Sequence, residues 1–282
     1  MNSRTRNHYL LTAAAALLAV SCAVGEKRAY TVQKTFPATA IQRVEIREID
    51  GSLKVEAGAD DQITLVAQIR SRVQPTKGAD QNYGFFAAEV DGDSLNIARV
   101  GQRRKIHFWD RDDITIDYAL RVPQRIALDL HTVNGRIATN GIAGETQVTT
   151  VNGPVDVETS GTAELSAKTV NGRIRAKFLQ SFQGASLKTV NGDVETVLPK
   201  SASFVCDLTQ VNGDFEASFP LSIHSHPGSR RVSGEVNGGR YELHISTVNG
   251  DIDVQNGGAP PAAPAAPAAP ATPATPPSVD AK

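Results

Sequence analysis

The chain has 282 residues, with 29 Lys and Arg against 30 Asp and Glu and a formal net charge of −1. That balance lacks the cationic surface nucleic acid requires, and it argues against nucleic acid as a partner. With only Cys22 and Cys206, a disulfide framework is excluded as the source of stability.

Residues 1–21 read as an export signal. Arg4 and Arg6 form a basic start, and Tyr9 to Val20 is an apolar run too short to span a bilayer stably. Two cleavage readings compete. Leu18-Ala19-Val20-Ser21-Cys22 resembles a bacterial lipobox, which makes Cys22 the lipidated first residue of the mature protein. Ala19 departs from that pattern, where a larger aliphatic is usual. The alternative is ordinary cleavage after Ser21 or Ala23. Either route exports the chain, to a membrane anchor through Cys22 or to the periplasm and cell envelope of a bacterium.

Residues 30–125 form a strand-rich N-terminal region. Arg43–Ile49, Gln62–Ile69, Ser94–Ile97 and Ile114–Val122 alternate apolar and polar residues, the pattern of half-buried strands. Asp91-Gly92 marks a tight turn between two of them. Residues 74–84 and 100–113 read as loops. The second holds Phe108, Trp109 and Asp110, with the only Trp of the chain beside acids. Aromatics next to polar groups suit contact with a glycan or a protein. The competing reading is that Phe108 or Trp109 covers an open end of the core. Val122-Pro123 closes the region, since proline ends ladder donation.

Residues 126–256 are governed by a repeat. Val-Asn-Gly occurs seven times, at Asn134-Gly135, Asn152-Gly153, Asn171-Gly172, Asn191-Gly192, Asn212-Gly213, Asn237-Gly238 and Asn249-Gly250. The spacings are 18, 19, 20, 21, 25 and 12 residues. Repeats of about 20 residues signal stacked architecture. Each unit reads as two strands of about seven residues and two turns, with Asn-Gly favoured where positive φ is needed. Apolar columns recur three residues after six of the seven Asn (Ile137, Val155, Ile174, Val194, Phe215, Ile252) and four before them (Leu130, Val148, Ala167, Leu187, Leu208, Ile245). These columns face a core. Thr recurs two residues before Asn, and the phase shift at the turn leaves open whether that Thr or the adjacent Val points inward.

One unit cannot fold alone. A few buried aliphatics at ~1.5–3 kcal/mol each do not offset ordering some twenty residues at ~1–2 kcal/mol apiece. Stacked units share core and ladder bonds. The favoured all-β architecture is a right-handed β-solenoid with an Asn ladder at one corner; the alternative is an antiparallel meander of Asn-Gly hairpins. The 25- and 12-residue spacings suggest an inserted loop and a closing strand that caps the stack. In sequence order Arg173 falls over Asp193, a cross-unit pair, and Asp193 over Asp214, a repulsive one. Residues 259–277 are only Ala, Pro and Thr, and residues 257–282 read as an Ala/Pro-rich, extended and disordered tail.

Leu120-Arg121-Val122-Pro123, then Leu128-Asp129-Leu130-His131-Thr132-Val133-Asn134-Gly135 and further Thr-Val-Asn-Gly units, resemble the bacterial DUF4097 "putative adhesin" family over roughly residues 38–255. The Thr column breaks at Gln210 and Glu235. The resemblance implies a β-helix-like fold on exported or tethered proteins and carries no catalytic residues.

The chain holds no Gly-x-Ser-x-Gly or other nucleophile context. Asp193 and Asp214 could serve as an acid/base pair for polysaccharide cleavage on a solenoid surface. His224 and His226 have a spacing metals can use, with His244 or Asp207 as a third ligand. The blander readings prevail: a solvated turn column, a polar loop, and for Cys206 a small buried hydrophobe. The sequence therefore points to a non-enzymatic surface contacting glycans or envelope proteins, with no catalytic, cofactor or metal residues assigned. A carbohydrate-active enzyme or an envelope-sensing partner are the rivals.

Overall fold

Buried and exposed side chains alternate along nearly every segment, as strands with one face on a core require. The computed structural model describes residues 27–72, 85–99, 114–226 and 229–257, and its regular elements are all strands. The first seven are β1 Arg28–Pro37, β2 Arg43–Arg47, β3 Leu53–Ala57, β4 Gln62–Ser71, β5 Phe86–Asp91, β6 Ser94–Arg99 and β7 Thr115–Val122. Eight short strands follow: β8 Ala127–His131, β9 Ile137–Ile142, β10 Thr146–Thr149, β11 Val155–Thr159, β12 Leu165–Lys168, β13 Ile174–Phe178, β14 Ala185–Lys188 and β15 Val194–Pro199. The last six are β16 Phe204–Asn212, β17 Phe215–Ala217, β18 Ser222–His226, β19 Ser229–Val236, β20 Tyr241–Asn249 and β21 Ile252–Gly257.

Two large sheets enclose one continuous core. The first runs β1-β4-β7-β3-β9-β11-β13-β15-β21-β17, and the second β18-β19-β16-β20-β14-β12-β10-β8-β2-β6-β5. A strand of the second sheet leads through a corner into a strand of the first. One such pair is a tier. Successive tiers pair in parallel in both sheets, as β10 does with β8 and β11 with β9. The Asn-Gly corners of the tiers therefore close no hairpins, because the strands on either side lie in different sheets. From β8 to β15 the repeat strands have four to six residues rather than about seven, whereas β16 and β20 have nine. The chain must turn again before the next tier begins.

The aliphatic columns line the core as expected. Leu130 pairs with Val148, Val148 with Ala167 and Ala167 with Leu187, all fully buried. Ile137, Val155, Ile174 and Val194 do the same on the facing sheet. β2 and β3 form the first tier, in register with β8 and β9. Antiparallel pairs β1–β4, β4–β7 and β5–β6 close that end, the last through the expected turn at Gly92.

The other end departs from chain order. After β14–β15 the chain forms β16–β17, then the antiparallel pair β18–β19, and only then returns as β20–β21. That last tier slots between its two predecessors: β20 pairs with both β14 and β16, and β21 with both β15 and β17. The closing tier is thus interior to the stack. The cap is β16–β17, extended in one sheet by β19 and β18.

Candidate functional site

The corner where each tier passes from the second sheet to the first repeats one arrangement. Thr points inward and its neighbouring Val outward, which resolves the phase left open by the sequence. Thr132, Thr150, Thr169, Thr189 and Thr247 are all buried, at 5% exposure or less. Each Oγ1 donates to a glycine carbonyl of the adjacent tier, as Thr150 does to Gly135 at 3.3 Å and Thr189 to Gly172 at 3.0 Å. A buried hydroxyl needs such an acceptor. Where the Thr column breaks, Gln210 takes over: its Nε2 donates to Gly250 O at 2.7 Å and Asp214 O at 3.0 Å.

Outside this buried row stands the ladder. Each asparagine Nδ2 donates to the Oδ1 of the tier before it in space, from Asn152 to Asn134 at 2.8 Å, Asn171 to Asn152 at 2.8 Å and Asn191 to Asn171 at 2.9 Å. Asn249 continues it to Asn191 at 2.8 Å, and Asn212 to Asn249 at 2.8 Å. A one-way row of donors needs a final acceptor. Asp50, which has no donor when ionised, supplies it, receiving Asn134 Nδ2 at 2.7 Å. Asn237 stands apart. With φ of 49° it turns the chain between β19 and β20, and its Nδ2 donates to the carbonyls of Lys200 and Ala202.

The glycine of each corner is required by contact. A Cβ on Gly172 would lie 2.1 Å from Gly153 O, which is backbone of the adjacent tier and cannot give way. Gly153, Gly192 and Gly250 meet the same obstacle.

The residue after each glycine forms a further column, in spatial order Arg136, Pro154, Arg173, Asp193, Asp251 and Asp214. Asp193 and Asp214, adjacent when the repeats are taken in chain order, are separated by Asp251. The acids are used structurally. Asp193 Oδ1 accepts the Asp251 N–H at 3.0 Å, and Asp251 Oδ1 accepts the Asp214 N–H at 2.8 Å. No ion pair joins Arg173 to Asp193 among the described residues, whereas Arg136 reaches Asp156 at 2.7 Å.

At its first tier the buried row holds Glu48 in place of Thr. Its side chain is out of solvent, and Oε1 accepts the Ile49 N–H at 2.8 Å and lies 2.9 Å from Arg99 Nε. Burial pushes the Glu48 carboxyl above its usual range, opposed by those N–H groups and by Arg99. Tyr118, beside it, is pushed up chiefly by burial.

The family model described as Toastrack DUF4097 matches residues 35–255. The chain belongs to that family. No curated protein is significantly similar to this Toastrack chain in sequence. Solved structures are similar at low identity. A "putative cell adhesion protein" from Clostridium sporogenes ATCC 15579 is 10% identical, with a TM-score of 0.41, covering 80% of this chain and 99% of that one. A "putative adhesin" from Bacteroides fragilis NCTC 9343 is 10% identical, with a TM-score of 0.33, covering 79% and 96%. A "putative lipid binding protein" from Parabacteroides distasonis ATCC 8503 is 11% identical, with a TM-score of 0.33, covering 80% and 95%.

Other residues singled out from the Toastrack sequence fall elsewhere. Cys22 and the Phe108–Trp109–Asp110 loop lie outside the described residues. Cys206 is 1% exposed, and burial pushes its thiol up to about 11. Asp207 is held by Arg231 through contacts of 3.0 and 2.9 Å, and His244 Nδ1 lies 3.9 Å away. His224 and His226 belong to β18, whose backbone pairs with β19. Among the described residues no group of three or more His, Cys, Asp or Glu is placed to hold a metal.

The feature that sequence reasoning missed is the valine column. Ile49, Val133, Val151, Val170, Val190, Val248 and Val211, in spatial order, are 38–49% exposed. They account for seven of the nine exposed large hydrophobics among the described residues. The recurring Thr-Val pair was the signal. Once Thr is assigned to the interior, Val must face out.

Proposed function

We propose that this Toastrack protein is an exported, non-enzymatic right-handed β-solenoid, serving the bacterial envelope as a scaffold or contact surface for glycan or protein. One observation carries the reading: an unbroken row of Ile49 and six exposed valines over seven tiers, beside a row of six asparagine amides that ends on Asp50. At ~4.8 Å per tier the row is roughly 29 Å long. An ordered apolar row of this extent marks a contact surface more than a random surface patch. The parallel pairing of successive tiers supports the solenoid, and the preference of parallel connections supports its hand. The basic start and apolar run of residues 1–21 support export, with Cys22 as the anchor where the lipobox is used.

The test is binding of the full chain to envelope glycans and to a solubilised bacterial envelope, beside a Val151→Glu variant. Saturable binding that falls at least tenfold in the variant is expected. Glycan turnover abolished by Asp193→Asn would replace this reading with an enzymatic one.

A further inference from the structure

We infer that the valine corner docks a second copy of this chain, running antiparallel to the first about a two-fold axis between the Asn171 and Asn191 tiers. The inference rests on the reading of the corner as a contact surface, and it names the partner.

The charges beside the ridge choose the partner. In spatial order the column after the glycines is basic in its first half, with Arg136 and Arg173, and acidic in its second, with Asp193, Asp251 and Asp214. All five are exposed. An anionic membrane or a uniformly charged polymer would be attracted by one half and repelled by the other. A parallel second copy would set like charge on like. An antiparallel copy on this axis sets Arg173 against the partner's Asp193 and Arg136 against the partner's Asp214, with Pro154 against the partner's Asp251. By symmetry each contact occurs twice, as a two-fold interface requires.

The same axis lays Val170 on the partner's Val190 and Val151 on the partner's Val248. Valine on valine removes apolar surface from water on both sides. Arg173 and Asp193 form no ion pair with each other among the described residues, and both are exposed beside the axis, with Asp193 Oδ1 also accepting the Asp251 N–H. The ridge is one or two side chains wide. Its buried area falls below the ~800 Å² per partner of standard interfaces, so the dimer should be weak and reversible. Exposed ion pairs make it weaken with salt.

Sedimentation equilibrium of the full chain, over a concentration series at low and high salt, tests this. A monomer–dimer equilibrium is expected, shifted toward monomer by salt. Val170→Glu should abolish it. Arg173→Asp and Asp193→Arg should each weaken self-association about tenfold, by placing like charges on the axis. Mixed, the two variants should form a heterodimer as readily as the unaltered chain, because both axial contacts are then Asp against Arg. Circular dichroism establishes that each variant is folded, and should Val170→Glu fail to fold, the charge variants still decide. A monomer throughout the series overturns the proposal, as does a dimer indifferent to both charge variants. Chain that stays monomeric yet loses envelope binding on Val151→Glu would sink the dimer and leave the contact surface standing.

Discussion

The middle tiers and the two ends of the stack use one corner in different ways. From Asn134 to Asn191 each tier repeats Thr inward, Val outward, amide on amide and glycine against glycine carbonyl. At the ends the same positions hold other residues. Asp50 terminates the ladder that amides propagate, and Glu48 fills the buried row where no further Thr is needed. At the far end Gln210 replaces Thr and reaches two carbonyls instead of one. A repeat can specify its own continuation, but not its start or stop.

The largest expected effect separates two glycines that share the two residues before them. Gly172 and Gly238 both follow Val-Asn, yet a Cβ on Gly172 meets backbone at 2.1 Å, whereas one on Gly238 meets nothing within 4 Å. Gly172→Ala should cost ~3 kcal/mol or more, by the mechanism that gives large mutational effects, forced displacement in a packed region. Gly238 has φ of 85°, so Gly238→Ala should cost only the ~1–2 kcal/mol of placing an L-residue in the left-handed region. Urea unfolding of the two variants measures both. Equal losses would mean that the tiers do not approach closely at Gly172.

A smaller effect distinguishes the interior of the ladder from its end. Asn171 both donates, to Asn152, and accepts, from Asn191. Asn212, in the last tier, donates to Asn249. At ~0.5–1.5 kcal/mol per hydrogen bond, Asn171→Ala should lose about twice as much stability as Asn212→Ala. The comparison is made from urea midpoints at unchanged m-value. A larger loss at Asn212 would show that the cap, rather than the ladder, limits stability.

Much of the middle was legible in the sequence because its contacts follow chain order. Leu130, Val148, Ala167 and Leu187 recur at fixed distance from Asn-Gly, and each packs on the next. What was hidden has two physical causes. Period-two alternation resets where the chain passes between sheets, so it could not say whether Thr169 or Val170 faces the core. Hydrogen-bonding need decides that: Thr can satisfy a glycine carbonyl from inside, whereas Val cannot. Tier order is a second, long-range choice. Nothing local marks Asn249 as the neighbour of Asn191. The 12-residue spacing from Asn237 to Asn249 was the trace of it, because Asn237 turns the chain instead of joining the ladder. The site shared that fate. Asp193 and Asp214 look adjacent when the repeats are read in order, and Asp251 separates them in space.

The smallest effect concerns the first tier, where a carboxyl stands in the row that Thr occupies elsewhere. Burial is the largest influence on Glu48 and raises its pKa above the ordinary 4.5. An acid with a raised folded-state pKa prefers to keep its proton in the folded chain. Its contribution to stability is therefore fully present below 4.5 and is lost as pH climbs through the folded value. Thr residues in the middle tiers carry no such dependence. Glu48→Gln keeps the shape and removes the titration. The stability of this variant relative to the unaltered chain should rise as pH is raised from below 4.5 toward neutrality, whatever constant offset the lost contact with Arg99 imposes. Melting curves of both proteins across that range give the difference directly. A difference flat with pH would mean that Arg99 and the Ile49 and Asp50 N–H groups balance burial in full. A difference of opposite sign would make Glu48 a net stabilising anion, tied to the ladder end rather than strained by it.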